Sequence, residues 1–145
     1  MIIVWSEELA TGYEVIDDQH KELFRRFNNF QSACKTGQGL EELSNLLAFL
    51  GGYLRSHLEM EEQLQIEHNY PDYLKHKQQH DDFRQKFKSL EDQLNSAGAT
   101  PQLLIRTNAV LADWLTRHFV WTDKELANFL ITTITIHPEN KDSNG

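Results

Sequence analysis

Cysteine occurs once in this chain, at Cys34, which excludes an internal disulfide and a structural zinc site built on thiolates. Cys34 itself reads as a small core residue. Only three prolines and seven glycines occur, and they cluster between long periodic runs, as helices joined by short connections require. There is no internal repeat and no low-complexity tract. No run approaches the roughly 20 apolar residues of a transmembrane helix, and Met1 to Trp5 is a short apolar start without a basic region, so no signal peptide is expected. Positive charge is also in deficit. The 14 basic residues stand against 22 acidic ones, a net charge of −8, which argues against nucleic acid or an anionic membrane as partner. The expectation is a cytoplasmic protein of one domain spanning residues 1–145.

What is present is helical periodicity. Leu23, Phe24, Phe27, Phe30 and Cys34 predict a first helix starting near Ile16 to Asp18 and stopping around Thr36 to Gly39. Before it lies an N-terminal arm, residues 1–16. Leu43, Leu46, Leu47, Leu50, Tyr53 and Leu54 predict a second helix from about Leu40, ending before Asn69-Tyr70-Pro71. A third, with Pro71 in its first turn, runs through Tyr73, Phe83, Phe87, Leu90 and Leu94 to Ser96-Ala97-Gly98. The fourth opens after Thr100-Pro101 and carries Leu104, Leu111, Trp114, Leu115 and later Phe129. The β-branched run Ile131 to Ile136 fits either a fraying helix end or an extended segment. These elements predict an all-α, up-down-up-down antiparallel four-helix bundle over about residues 17–132, with a C-terminal tail over about 133–145.

The histidines continue the apolar stripes. Leu46, Leu50, Tyr53 and Leu54 run on to His57 and Glu61, which occupy successive turns about 6 Å apart. His76 and His80 precede Phe83, Phe87 and Leu90 on one face. His20 heads the stripe of the first helix, and His118 follows Leu111, Trp114 and Leu115 on the fourth. One core-facing histidine is ordinarily a hydrogen-bonded structural residue. Five of them on four helices, with Glu61 among them, are costly to bury unless a metal compensates them. His68 and His137 fall near helix ends and read as surface residues.

Ligand type narrows the metal. Calcium and magnesium prefer oxygen, whereas a mixed nitrogen and oxygen set suits iron, manganese, cobalt or copper. Seven ligands are too many for one ion, so two are implied. With both ions six-coordinate, five histidines, two bridging carboxylates and a bridging oxygen leave one position open. Two residues compete for the place of the second carboxylate. Asp123 lies about 140° around an α-helix from His118, while Glu125 faces nearly the same way but about 10.5 Å further along. At about 7.5 Å of rise Asp123 ranks first.

These residues resemble the hemerythrin family, in particular its bacterial single-domain members, over nearly the whole chain. The likeness rests on Trp5, Gly12, Ile16-Asp17, Gln19-His20 and Leu23-Phe24, then His57-x-x-x-Glu61-Glu62, Tyr70-Pro71, His76-x-x-x-His80 and Phe83, and finally Trp114-Leu115-x-x-His118 with Asp123. It implies two iron ions, ferrous or ferric, joined by an oxo or hydroxo bridge. His76, His80 and His118 would hold one iron, His20 and His57 the other, with Glu61 and Asp123 bridging. Dioxygen would bind at the open position of the two-histidine iron. Leu58 stands where the family commonly has phenylalanine, Phe119 where isoleucine is usual, and Trp121 is bulky for its place; these departures bear on access to that position. Glu62 points about 100° from Glu61 and reads as surface or as support for a ligand.

The implied function is reversible dioxygen binding, for storage, transport, delivery or sensing, by a protein that is not an enzyme. The alternatives are a di-iron enzyme acting on peroxide, nitric oxide or ferrous iron, and iron storage or detoxification. Bundle oxidases use several glutamates with two Glu-x-x-His motifs, and this histidine-rich set departs from that design.

Overall fold

The structure, a computed structural model, describes residues 5–136; His137, Pro138 and the rest of the expected tail lie outside the described residues. Four helical rods form an all-α bundle with no strand among the described residues. They are α1 (Glu14–Lys35), α2 (Gly39–Glu67), α3 (Tyr73–Ala97) and a fourth rod in three parts. These are α4 (Pro101–Asp113), a π-helical segment (Trp114–Thr122) and α5 (Asp123–Ile136). Consecutive rods pack against one another, as short connections dictate.

Local chemistry sets the rod ends. Thr100 caps α4, its hydroxyl accepting from the Leu103 N–H at 3.1 Å, with Pro101 in the first turn. Beyond α2, Asn69 takes a left-handed conformation (φ 54°), and the Tyr70 N–H closes back on the Gln65 carbonyl at 2.9 Å. Pro71 therefore lies in the turn before α3 rather than in its first turn. Helix α1 starts at Glu14, earlier than the apolar stripe indicates, because Asp17 organises the arm. Its carboxylate accepts from the Thr11 N–H and hydroxyl at 2.8 and 2.7 Å and from the Gly12 N–H at 3.1 Å. Gly12 has φ +89°, and a Cβ there would stand 2.9 Å from Ile131 Cδ1, so the arm passes close against α5. The β-branched run resolves as helix, since α5 continues to Ile136.

Two apolar clusters flank a polar layer. The larger contains Phe24, Phe27, Leu47, Leu50, Phe87, Leu111 and Trp114, and half-buried Cys34 packs against it. The smaller comprises Ile16, Tyr70, Leu126 and Leu130. Between them lie the buried histidines, because each rod carries its polar residue one turn from an apolar one: Ile16 with His20, Leu54 with His57, His80 with Phe83, Leu115 with His118.

Candidate metal centre

All seven residues singled out by spacing meet in that layer. His20, His57, Glu61, His76, His80, His118 and Asp123 are each 2 % exposed or less. Glu125 is exposed, and His68, half-buried at the end of α2, stands apart from the cluster.

The donor atoms fall into two overlapping groups, each with its atoms within 4.8 Å of one another: Glu61, His76, His80, His118 and Asp123, and His20, His57, Glu61 and Asp123. The carboxylates belong to both and divide their oxygens between them. Glu61 Oε1 lies 3.3 and 3.2 Å from the Nε2 atoms of His76 and His80, while Oε2 lies 3.2 Å from His57 Nε2. Asp123 Oδ1 lies 3.1 and 2.9 Å from His76 and His118, while Oδ2 lies 3.0 Å from His20. One oxygen of each thus serves the three-histidine group and the other the two-histidine group.

The π segment brings Asp123 in. Its N–H donates to the His118 carbonyl, an i to i+5 bond that stacks Asp123 on His118, so the 140° offset of a regular α-helix does not apply. The apolar pattern of the segment gave no sign of the wider turn. The same turn carries Trp121 outward to 70 % exposure, so Trp121 does not wall the centre as its position in the sequence indicates. Phe119 does, stacking on His20 with centroids 3.8 Å apart, and Leu58 is fully buried.

A further set of residues escaped the sequence reading, which placed only Glu62 as possible support. Gln19 Oε1 accepts from His57 Nδ1, Glu62 Oε2 from His80 Nδ1 at 2.7 Å, and Gln79 Oε1 from His118 Nδ1 at 2.9 Å. Each acceptor sits beside a ligand candidate of its own helix and grips a histidine of the next. That adjacency, in Gln19-His20, Glu61-Glu62 and Gln79-His80, was the available signal. With Nδ1 as the donor to these acceptors, each of the three imidazoles aims Nε2 inward, where it can offer a lone pair to a metal.

Inward lone pairs at such distances require cations between them. His76 and His118 Nε2 lie 3.2 Å apart, and His80 and His118 Nε2 3.1 Å. His57 Nε2, Glu61 Oε2 and Asp123 Oδ1 are buried without a properly directed hydrogen bond. With side chains alone, protons fill this role. Burial pushes His57 down, but the Glu61 and Asp123 carboxylates, 3.2 and 3.9 Å from its Nε2, outweigh it and hold the imidazole at about 10. His76 is held at about 9, burial again being outweighed by hydrogen bonds with Asp123 and Glu61. Burial and the Asp123 charge raise the Glu61 carboxyl, but His57 and His118 bring it well below the usual range. Burial likewise raises Asp123, and His118, by charge and hydrogen bonding, brings it well below. A set of nitrogen and oxygen donors without sulfur, compensated only by protons, fits a pair of transition-metal ions.

This arrangement predicts a pH profile. A histidine raised on folding stabilises the folded state below its unfolded value of about 6.5, a contribution lost as pH rises through about 9 to 10. The lowered carboxylates contribute above their unfolded values and lose that contribution as pH falls. Chelator-treated protein should therefore melt at progressively lower temperature from about pH 6.5 to about 10, whereas metal-loaded protein, whose ligand protons have left, should not. Melting temperatures across this range, with and without chelator, check this; a flat alkaline limb after chelation contradicts it.

Residues 11–130 match the Hemerythrin HHE cation binding domain family. The chain belongs to the hemerythrin family. Among hemerythrins it is 28 % identical to the bacteriohemerythrin of Methylococcus capsulatus, with 85 % of this chain and 92 % of the relative covered. It is 27 % identical to that of Stenotrophomonas maltophilia, covering 88 % of this chain and 80 % of the relative. Similarity extends to the myohemerythrin of Sipunculus nudus, at 26 % identity over 83 % of this chain and 87 % of the relative. The matched span contains all seven residues of the buried histidine and carboxylate cluster. No described helix is long and apolar enough to cross a membrane.

Proposed function

We propose that this protein binds dioxygen reversibly at a non-haem di-iron centre. The observation that carries the reading is the division of carboxylate oxygens between a three-histidine and a two-histidine donor group. His76, His80 and His118 would hold one iron and His20 and His57 the other, with Glu61 and Asp123 shared between the two groups. Unequal histidine counts leave the two-histidine side one donor short, which is where a small ligand fits. When bound, the ferrous pair supplies the two electrons that capture of dioxygen requires.

The chain's own residues do the rest. Phe119 lies flat on His20 and Leu58 is sealed in the core, so the open side faces apolar surface and water is kept out. Gln19, Glu62 and Gln79 fix imidazole tautomers and orientations. Every imidazole and carboxylate of the buried cluster is assigned as a ligand, and the side chains hydrogen-bonded to their Nδ1 atoms serve to orient them, which favours binding over catalysis.

The test is anaerobic reduction of the iron-loaded protein, then air, then return to low oxygen, recording iron content and visible spectrum. Two irons per chain and a charge-transfer absorption that appears in air and fades on deoxygenation are expected. Immediate, irreversible conversion to the oxidised form would instead favour an oxidising enzyme or detoxification.

A further inference from the structure

Three of the buried histidines have a side-chain acceptor at Nδ1, and His76 does not: its Nδ1 is buried without a partner among the described residues. One turn beyond Glu61 on α2, Gln65 is 0 % exposed with neither Oε1 nor Nε2 hydrogen-bonded. A buried primary amide with no partner is costly and rare, and it lies on the same face as His57 and Glu61.

Helix register relates these two orphans. Glu62 of α2 meets His80 of α3 at 2.7 Å. In an antiparallel pair, stepping back one turn along α3 to His76 means stepping forward one turn along α2, to residues 65–66. Of these Ile66 is 54 % exposed and Gln65 is buried. Tyr70 ties the two positions together: its N–H donates to the Gln65 carbonyl at 2.9 Å, and its ring stands edge-on to His76 with centroids 6.4 Å apart.

We propose that Gln65 is the positioning residue for His76, its amide oxygen accepting from His76 Nδ1–H in the metal-loaded protein. The inference rests on the di-iron reading. It makes α2 the source of both acceptors for the α3 histidines, a carboxylate for His80 and a neutral amide for His76. The terminal torsion of glutamine is soft, so the side chain can turn to this partner without strain.

The test compares Gln65→Leu and Gln65→Glu with wild type in four measurements: iron loss to a chelator, midpoint potential, melting temperature after chelation, and exchange of the His76 Nδ1–H proton. Gln65→Leu should lower iron affinity roughly 10- to 100-fold, as loss of a ligand's supporting hydrogen bond does. Its chelated form should melt at the wild-type temperature or above, because an unpaired buried amide has been removed. Gln65→Glu should retain iron and lower the potential, since a carboxylate acceptor makes the imidazole more basic. In zinc-loaded, histidine-labelled protein, the His76 Nδ1–H resonance should be protected from exchange in wild type and lost in Gln65→Leu. Unchanged iron affinity in Gln65→Leu with a gain in stability would overturn the proposal, leaving Gln65 a mere buried amide. Loss of iron and stability together, without recovery in Gln65→Glu, would also overturn it. Wild-type protein that fails to hold two irons would instead sink the di-iron reading.

Discussion

The His80→Ala protein is expected to hold less than one iron per chain under conditions that give two in wild type. His80 is completely buried, with Nε2 3.2 Å from Glu61 Oε1 and Nδ1 held by Glu62. Its removal takes one of three histidines from the larger donor group and leaves Glu62, which also pairs with Arg84 at 2.8 Å, without its inner partner. The loss spreads to the second ion because Glu61 serves both groups. Breaking one member of a buried charged network costs about 3–5 kcal/mol, which for a domain of this size lowers the melting temperature by roughly 10 °C. Metal binding adds to that figure, since ligation free energy is folding free energy. His57→Ala should behave alike from the two-histidine side, where His57 and Gln19 are paired. Elemental analysis with thermal melts checks both variants, and normal iron content in both would remove the ligand assignment.

The bundle and the inward histidines were legible for one reason. Each histidine extends an apolar stripe whose period survives in the folded rods, so His57 after Leu54 and His118 after Leu115 keep their facing. Two features were hidden. The acceptors Gln19 and Gln79 belong to the outward half of their helices, Gln79 being exposed, and their partners sit on neighbouring rods, which no single-helix period displays. The π segment was hidden as well, because Trp114 to Thr122 carries no proline or glycine to mark a change of pitch. Extrapolating α-helical rotation across it set Asp123 about 140° from His118, whereas the i to i+5 bond brings both into one cluster. Reach, rather than rotation, ranked Asp123 over Glu125, and it is Asp123 that lies in the buried cluster.

That register gives the second large effect, which runs against ordinary intuition about indels in helices. An i to i+5 segment holds one residue more than an α-helical turn spanning the same rise, so it absorbs a deletion by becoming α-helical. Deleting Trp121, which is 70 % exposed, would leave Asp123 four residues after His118, still stacked on it. This variant should keep both irons, at the expense of the 2.9 Å hydrogen bond between Thr122 and Gln79. Inserting one alanine between Val120 and Trp121 has no such outlet. It turns Asp123 and all of α5 by about 100°, carrying the carboxylate out of the metal centre and Leu126 and Leu130 out of the smaller apolar cluster. The insertion should strip both irons and lower the melting temperature at least as far as His80→Ala. Iron content of the two proteins decides the matter. Iron lost on deletion and kept on insertion would mean that the segment is not the device that brings Asp123 into the centre.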